Sequence, residues 1–222
     1  MSLSLKNMAN SVSSKRGTFT NSYPVIVNSI EPNRYIFEVN KLGGNCHNFP
    51  SQNINLKELN NRLENIIRKS GDQDNYRTRA KCFRTRWDLH TIDWAVQLIG
   101  DNAISMAKKN PLAGRTSPDG TSEEIEYGIR ECWGLIYEQG QETKSHSHWP
   151  STWAFVYNVR ACSKCSPLIL PSNGIHPNTT LYPTEGMLTI FPAWLNHEVP
   201  SQPCSHERII IAGNLNVVWS RF

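Results

Sequence analysis

The sequence predicts an α+β protein with a mainly β core, and three observations carry that reading. Two stretches in the first half repeat apolar residues at steps of three and four, the period of a helix with one buried face. From Tyr127 onward that period disappears, and short β-rich runs follow one another with turn residues between them. The chain has 222 residues with 38% hydrophobic and 19% charged residues, enough to bury a core without covalent staples. Helices followed by many short strands fit an α+β fold built on a sandwich or barrel.

Residues 1–20, rich in Ser, Asn and Lys, have no periodicity and are expected to form a loose arm. The rest, 21–222, reads as one domain, with helices and supporting strands over 21–126 and the β core over 127–222. "YPVIVNSI" and "NRYIFEVN" read as strands on either side of the turn signal "EPN". In "INLKELNNRLENIIRKSG", Leu56, Leu59, Leu63, Ile66 and Ile67 mark one helical face, and Gly71 is placed to stop the helix. "RAKCFRTRWDL" predicts a strand. "TIDWAVQLIGDNAISMAKKNP" predicts a second helix, capped by Thr91 and ended by Pro111. The β-rich runs that follow are "IRECWGLIYEQ", "TWAFVYNVRA", "SPLILPS", "GMLTIFPA", "HEVPSQ" and "RIIIAGNLNVVW". "NGIHPNTTLYP" reads as a loop, where His176 and Tyr182 are candidates to touch a substrate.

Charge and composition exclude several classes. No apolar run approaches the roughly 18 residues needed to span a bilayer, so no membrane partner is expected. No signal peptide is evident at the N-terminus, and a cytoplasmic protein is expected. The net charge of +4 is mild. The one basic cluster, "YRTRAKCFRTRW", reads as a strand with a solvated basic face, and nucleic acid is not expected as a partner. Six cysteines in a chain of this size do not make a disulfide scaffold. Cys162 and Cys165 form a lone CxxC, which Cys204 and His206 would complete as a zinc site. Free loop thiols are the expectation.

Chemistry points to histidine. His146 and His148 are two residues apart in "HSH", at the end of an expected strand, where i and i+2 share a face. His197 follows a strand–turn segment, "GMLTIFPAWLNH", with enough chain between for strands to bring the two parts together. Neutral imidazole is a common ligand for iron, zinc, copper and nickel, and three protein ligands leave positions open for other molecules. Trp149, Trp153 and Trp194 flank these histidines. Trp149 and Trp194 are candidate substrate contacts, with packing in the core as the competing role.

The pattern Tyr137-x-x-Gly140-x(5)-His146-x-His148, then His197-x(10)-Arg208, resembles the 2-oxoglutarate and Fe(II)-dependent oxygenases. The stretch "HSHWPSTWAFVYNV … PTEGMLTIFPAWLNHEVP … HERIIIAGNLNV" is similar to a subgroup found in bacteria and tailed phages. The resemblance covers about residues 127–218. It implies a double-stranded β-helix, a jelly roll related to cupins, supported by the two N-terminal helices. It also implies Fe(II) held by His146, His148 and His197, and Arg208 paired with the distal carboxylate of 2-oxoglutarate, a task suited to a guanidinium fork. Tyr137 stands where related enzymes place a phenol that bonds the same cosubstrate. The implied activity is a hydroxylase that uses O2 and converts 2-oxoglutarate to succinate. The primary substrate, a protein side chain or a metabolite, is not readable.

This chain departs from the pattern in two places. Most of the superfamily has a carboxylate where His148 stands, and three neutral imidazoles make zinc or copper competitors for the site. Trp153 and Ala154 occupy positions that the subgroup fills with small residues, which would narrow the pocket. A second reading is a cupin-like metal protein without 2-oxoglutarate. "GMLTIFPAWLNH" fits the second cupin motif except at Trp194, but the Glu of the first motif is missing and Arg208 has no job. A third reading is a degenerate barrel acting as a binding module.

Overall fold

The structure, a computed structural model, describes residues 26–29, 56–71, 79–109, 125–172 and 178–218. The expected arm at 1–20 and the expected strand "NRYIFEVN" lie outside them. The fold is two antiparallel sheets with helices on one outer face. The six-stranded sheet has the order β1-β9-β6-β11-β4-β3. Its strands are β1 (Ile26–Ser29), β3 (Phe83–Arg84), β4 (Tyr127–Tyr137), β6 (Trp153–Arg160), β9 (Met187–Pro192) and β11 (Arg208–Val217). The five-stranded sheet, in the order β2-β5-β10-β7-β8, contains β2 (Ala80–Lys81), β5 (Glu142–His146), β7 (Leu168–Leu170), β8 (Thr179–Leu181) and β10 (His197–Val199). This is the double-stranded β-helix that the resemblance implies.

Strand periodicity sorts the side chains of the large sheet into two cores. On β6, Trp153, Phe155, Tyr157 and Val159 face the helices, while Ala154 and Val156 face the second sheet. On β11, Ile209 and Ile211 take the helical side, and Ile210 and Ala212 the inner side. Both faces are covered, which is why these strands are apolar runs rather than alternating ones. Trp153 therefore packs under the helices, and the expectation that it narrows the pocket is corrected; only Ala154 faces inward.

The helical cover comes from α1 (Leu56–Lys69) and α3 (Trp94–Lys109), with the one-turn helix α2 (Leu89–Ile92) between them. Leu59, Leu63 and Ile67 of α1 are buried in the helix-side core, as their spacing predicts. Gly71 follows the helix with φ of +70°, a left-handed backbone that favours glycine. The predicted cap of the second helix is displaced by two residues. Asp93, not Thr91, accepts the Ala95 amide at 2.8 Å, because Leu89–Ile92 form a separate turn first.

"RAKCFRTRWDL" is not one strand. The chain bends at Cys82, so Ala80–Lys81 pairs with β5 in one sheet and Phe83–Arg84 with β4 in the other. The basic residues consequently do not share a solvated face: Arg79 and Arg86 are exposed, but Arg84 is buried. The expected loop "NGIHPNTTLYP" contains strand β8, whose three residues pair with β7 and are too short to show periodicity. His176 lies outside the described residues, and Tyr182 is exposed. No helix among the described residues is long and apolar enough to cross a membrane.

Helix α1 rests closely on the sheet at Gly134 of β4, where an added Cβ would stand 2.5 Å from Ile67 Cγ1. Ile67 is β-branched and stiff in a helix, so it cannot rotate away. Gly134→Ala is expected to cost about 1–3 kcal/mol, the usual penalty of overpacking. Chemical denaturation would measure it, and because Ile67→Ala removes all three atoms that the new Cβ would meet, the double variant should lose less than the sum of the two single changes.

Candidate active site

Antiparallel pairing of β10 with β5 sets His197 directly opposite His146. Strand β5 ends at His146, so His148 is not on that strand as its spacing suggests. It lies two residues beyond, where its amide donates to the Ala193 carbonyl at 2.7 Å. That bond brings its ring back over the pair. The ring centroids are 4.3 Å apart for His146 and His197, 4.9 Å for His146 and His148, and 5.0 Å for His148 and His197. One ligand nitrogen from each ring falls within 4.8 Å of the others.

Hydrogen bonds fix which nitrogens are free. His146 Nδ1 lies 2.8 Å from the Lys144 carbonyl and His197 Nδ1 lies 3.2 Å from the Leu195 carbonyl. A carbonyl only accepts, so both Nδ1 atoms carry the proton and the Nε2 lone pairs are left for a metal. This is the outer-shell arrangement that orients metal-binding imidazoles. Burial lowers the proton affinity of all three rings, helped at His148 and His197 by the neighbouring imidazoles, and takes His148 to about 3. All three are therefore neutral at pH 7, the ligating form.

The histidines line a cavity of about 630 Å³ between the two sheets. Exposed Arg79, Ser145, Ser147 and Asn196 mark its mouth. Its closed end is lined by Tyr137, Leu168, Val199, Arg208 and Ile210, all buried. Arg208 is 1% exposed. It donates from one terminal nitrogen to the Ser166 carbonyl at 2.8 Å, and from the other to Asn158 Oδ1 at 3.4 Å. Its Nε is buried with no partner, and no carboxylate among the described residues pairs with it. Glu207, its chain neighbour, is instead held by Arg68. Tyr137 stands opposite Arg208 in the β4–β11 register, with its ring centroid 5.6 Å from the guanidinium carbon. Its hydroxyl shares a 2.7 Å hydrogen bond with Thr143 Oγ1.

The two flanking tryptophans that sequence singles out are elsewhere. Trp149 is 74% exposed, and neither it nor Trp194 lines the cavity. The indoles in the wall are Trp87 and Trp133, whose rings meet edge-on at 4.5 Å, with Trp133 5.6 Å from His148. Buried Arg84 joins them, its guanidinium 4.0 Å from the Trp87 ring. A basic and aromatic cluster was visible in the sequence, but its inward turn depends on the bend at Cys82.

No protein-family model matches the sequence, and no curated protein matches it either. Solved structures do match. A prolyl hydroxylase from Trichoplax adhaerens, in complex with a hypoxia inducible factor peptide, superimposes with a TM-score of 0.58 at 16% identity, covering 88% of this chain and 84% of that one. The collagen prolyl hydroxylase of Paramecium Bursaria Chlorella virus-1, in complex with 2-oxoglutarate, gives 0.55 at 14%, over 73% and 91%. HygX from Streptomyces hygroscopicus, with nickel, 2-oxoglutarate and hygromycin B bound, gives 0.55 at 9%, over 88% and 84%. The fold is that of the 2-oxoglutarate and Fe(II)-dependent oxygenases. At these identities the likeness speaks for the fold, and the chemistry rests on the residues above.

His197→Ala tests the donor set. Loss of a mere outer-shell partner typically costs 10–100-fold in metal affinity, so loss of one of three ligands should weaken Fe(II) binding by more than about 100-fold. Anaerobic calorimetric titration would read it.

Proposed function

We propose that the chain is a non-haem Fe(II) and 2-oxoglutarate-dependent oxygenase that hydroxylates a C–H bond of its substrate. The observation that carries this reading is the buried Arg208 guanidinium, short of hydrogen-bond acceptors, in the same cavity as three neutral imidazoles. A buried cation without a carboxylate is costly, and a guanidinium cannot shed its charge. A dicarboxylate that reaches from the histidines to Arg208 satisfies both ends.

In this reading His146, His148 and His197 hold the iron and leave positions open beside it. Bound iron supplies dioxygen activation coupled to oxidative decarboxylation of 2-oxoglutarate to succinate. Arg208 clamps the distal carboxylate with its fork, fixing the cosubstrate's orientation. The Tyr137 ring, next to that guanidinium, and the Tyr137 hydroxyl, turned by Thr143, complete the polar end of the cosubstrate pocket. Leu168, Val199 and Ile210 exclude water from the closed end. The substrate enters at the mouth, past Arg79, Arg84 and Trp87. A peptide side chain such as proline and a small metabolite are the candidate substrate classes, since the similar structures include prolyl hydroxylases and a complex with hygromycin B.

Adding 2-oxoglutarate to the anaerobic Fe(II) protein should produce a weak visible charge-transfer band, and admission of air should yield succinate. Arg208→Ala is expected to keep the metal and to lose 2-oxoglutarate affinity by at least about 30-fold. That figure corresponds to the lower end, about 2 kcal/mol, of the cost of truncating one partner of a buried charge pair. Metal binding with no response to 2-oxoglutarate, or an unchanged affinity in the variant, would favour the cupin-like reading instead.

A further inference from the structure

A second cluster of ligand atoms stands apart from the histidine triad. Cys162 and Cys165 lie in the connection between β6 and β7, and Cys204 and His206 in the connection between β10 and β11. Cys162 Sγ is 3.7 Å from Cys204 Sγ and 3.8 Å from Cys165 Sγ, and Cys165 Sγ is 3.5 Å from His206 Nε2. All four ligand atoms fall within 4.8 Å of one another. Zinc binds thiolate sulfur at about 2.3 Å and imidazole nitrogen at about 2.0–2.1 Å in a tetrahedron. The edges of such a tetrahedron are about 3.8 Å between sulfurs and about 3.5 Å between sulfur and nitrogen, given those bond lengths. Three of the six separations match those edges, and the other three lie within 4.8 Å. A disulfide, with sulfurs about 2.05 Å apart, would use two of the thiols and leave the third and the imidazole unexplained.

The surroundings independently favour thiolates. The Lys164 amide donates to Cys162 Sγ at 3.3 Å, the Cys162 amide to Cys165 Sγ at 3.4 Å, and the side-chain amide of Gln202 to Cys165 Sγ at 3.2 Å. Gln202 and Cys165 are both buried. A thiol sulfur is a weak acceptor, so three N–H groups directed at two sulfurs are poorly used unless those sulfurs are anionic. The Cys165 amide closes the CxxC turn on the Cys162 carbonyl at 3.1 Å. That turn sets both sulfurs on the side of Cys204 and His206.

We propose that Cys162, Cys165, Cys204 and His206 form a structural zinc site that clamps the β6–β7 loop to the β10–β11 loop. Four protein ligands close the coordination sphere and leave no position for a substrate, so the site is structural. Loading it releases the thiol protons to solvent. The clamp lies next to the closed end of the cavity. Ser166, one residue after Cys165, receives Arg208 on its carbonyl. Its amide donates to Gln202 Oε1 at 3.0 Å, and its hydroxyl to the Ser201 carbonyl at 2.8 Å. The two loops thus hold the acceptor that positions Arg208.

The experiment is metal analysis of protein purified under reducing conditions, done on a chain carrying His146→Ala, His148→Ala and His197→Ala together. In that chain a failure of the oxygenase reading cannot affect the outcome. The expected result is one zinc per chain that survives EDTA at pH 7 and is released in step with mercurial titration of the thiols. Cobalt substituted into the same chain should show thiolate-to-metal charge-transfer absorption in the near ultraviolet. Cys162→Ser with Cys204→Ser should abolish both signals, and His206→Ala, at the exposed corner, should weaken retention without removing the thiolate absorption. Zinc-free reduced protein, cobalt without a thiolate band, or a Cys162–Cys204 disulfide in the reduced preparation would overturn the proposal.

Discussion

One uncompensated charge shapes the inner half of this molecule. Arg208 begins β11 inside the sandwich, where it is 1% exposed and no carboxylate among the described residues answers it. A guanidinium has five N–H donors, and the described acceptors are a carbonyl and an amide oxygen, the latter at 3.4 Å. Leaving a buried cation in that state works against folding, and the proposed cosubstrate carboxylate would offset that cost. The apolar wall around it strengthens any electrostatic contact the ligand makes, because screening inside the sandwich is weak.

That charge sits inward because of strand register. Along β11, Arg208, Ile210 and Ala212 face the cavity, while Ile209 and Ile211 pack beneath the helices. A slip of one residue would send the guanidinium into the helix-side core. The register is held on both sides, by β4 over the whole strand and by β6 over most of it. The same logic governs the histidines. His197 meets His146 only because β10 pairs with β5, and β10 is three residues long. The large sheet holds the long strands; the small one carries His146 and His197 on short strands joined by loops.

Much of this was legible in the sequence, and the failures have physical causes. The face of α1 and its stop at Gly71 follow from period and backbone freedom, which are local properties. The apolar runs of β4, β6, β9 and β11 announce strands because both faces are buried. The convergence of His146, His148 and His197 follows from two short motifs brought to one end of a jelly roll. The wall of the cavity was not legible. Arg84 and Trp87 enter it because the chain changes sheets at Cys82 between two strands of two residues each, and such strands have no period to read; Trp133 enters it from β4, on the same face as Leu135 and Tyr137. Trp149 is adjacent to the histidines in sequence but points to solvent, since the chain turns immediately after His148. Asp93 replaced Thr91 as cap for a similar reason: a single extra turn, too short to leave a pattern, precedes the helix.

The third imidazole alters the electrostatics of the proposed chemistry. A divalent metal held by two histidines and one carboxylate has its charge partly cancelled by the protein. Held by three neutral rings, it keeps the full charge, and Arg208 adds another positive charge to the same poorly screened cavity. The described lining contributes no carboxylate to offset them. The cosubstrate in the proposed reaction is a dianion, so most of the neutralisation falls to it rather than to the protein. Metal and cosubstrate binding should then be coupled more strongly than in a carboxylate-containing site, each lowering the cost of the other. The proposed zinc clamp acts on the same balance from outside, since it fixes the Ser166 carbonyl, one of the two acceptors available to Arg208 before a ligand arrives.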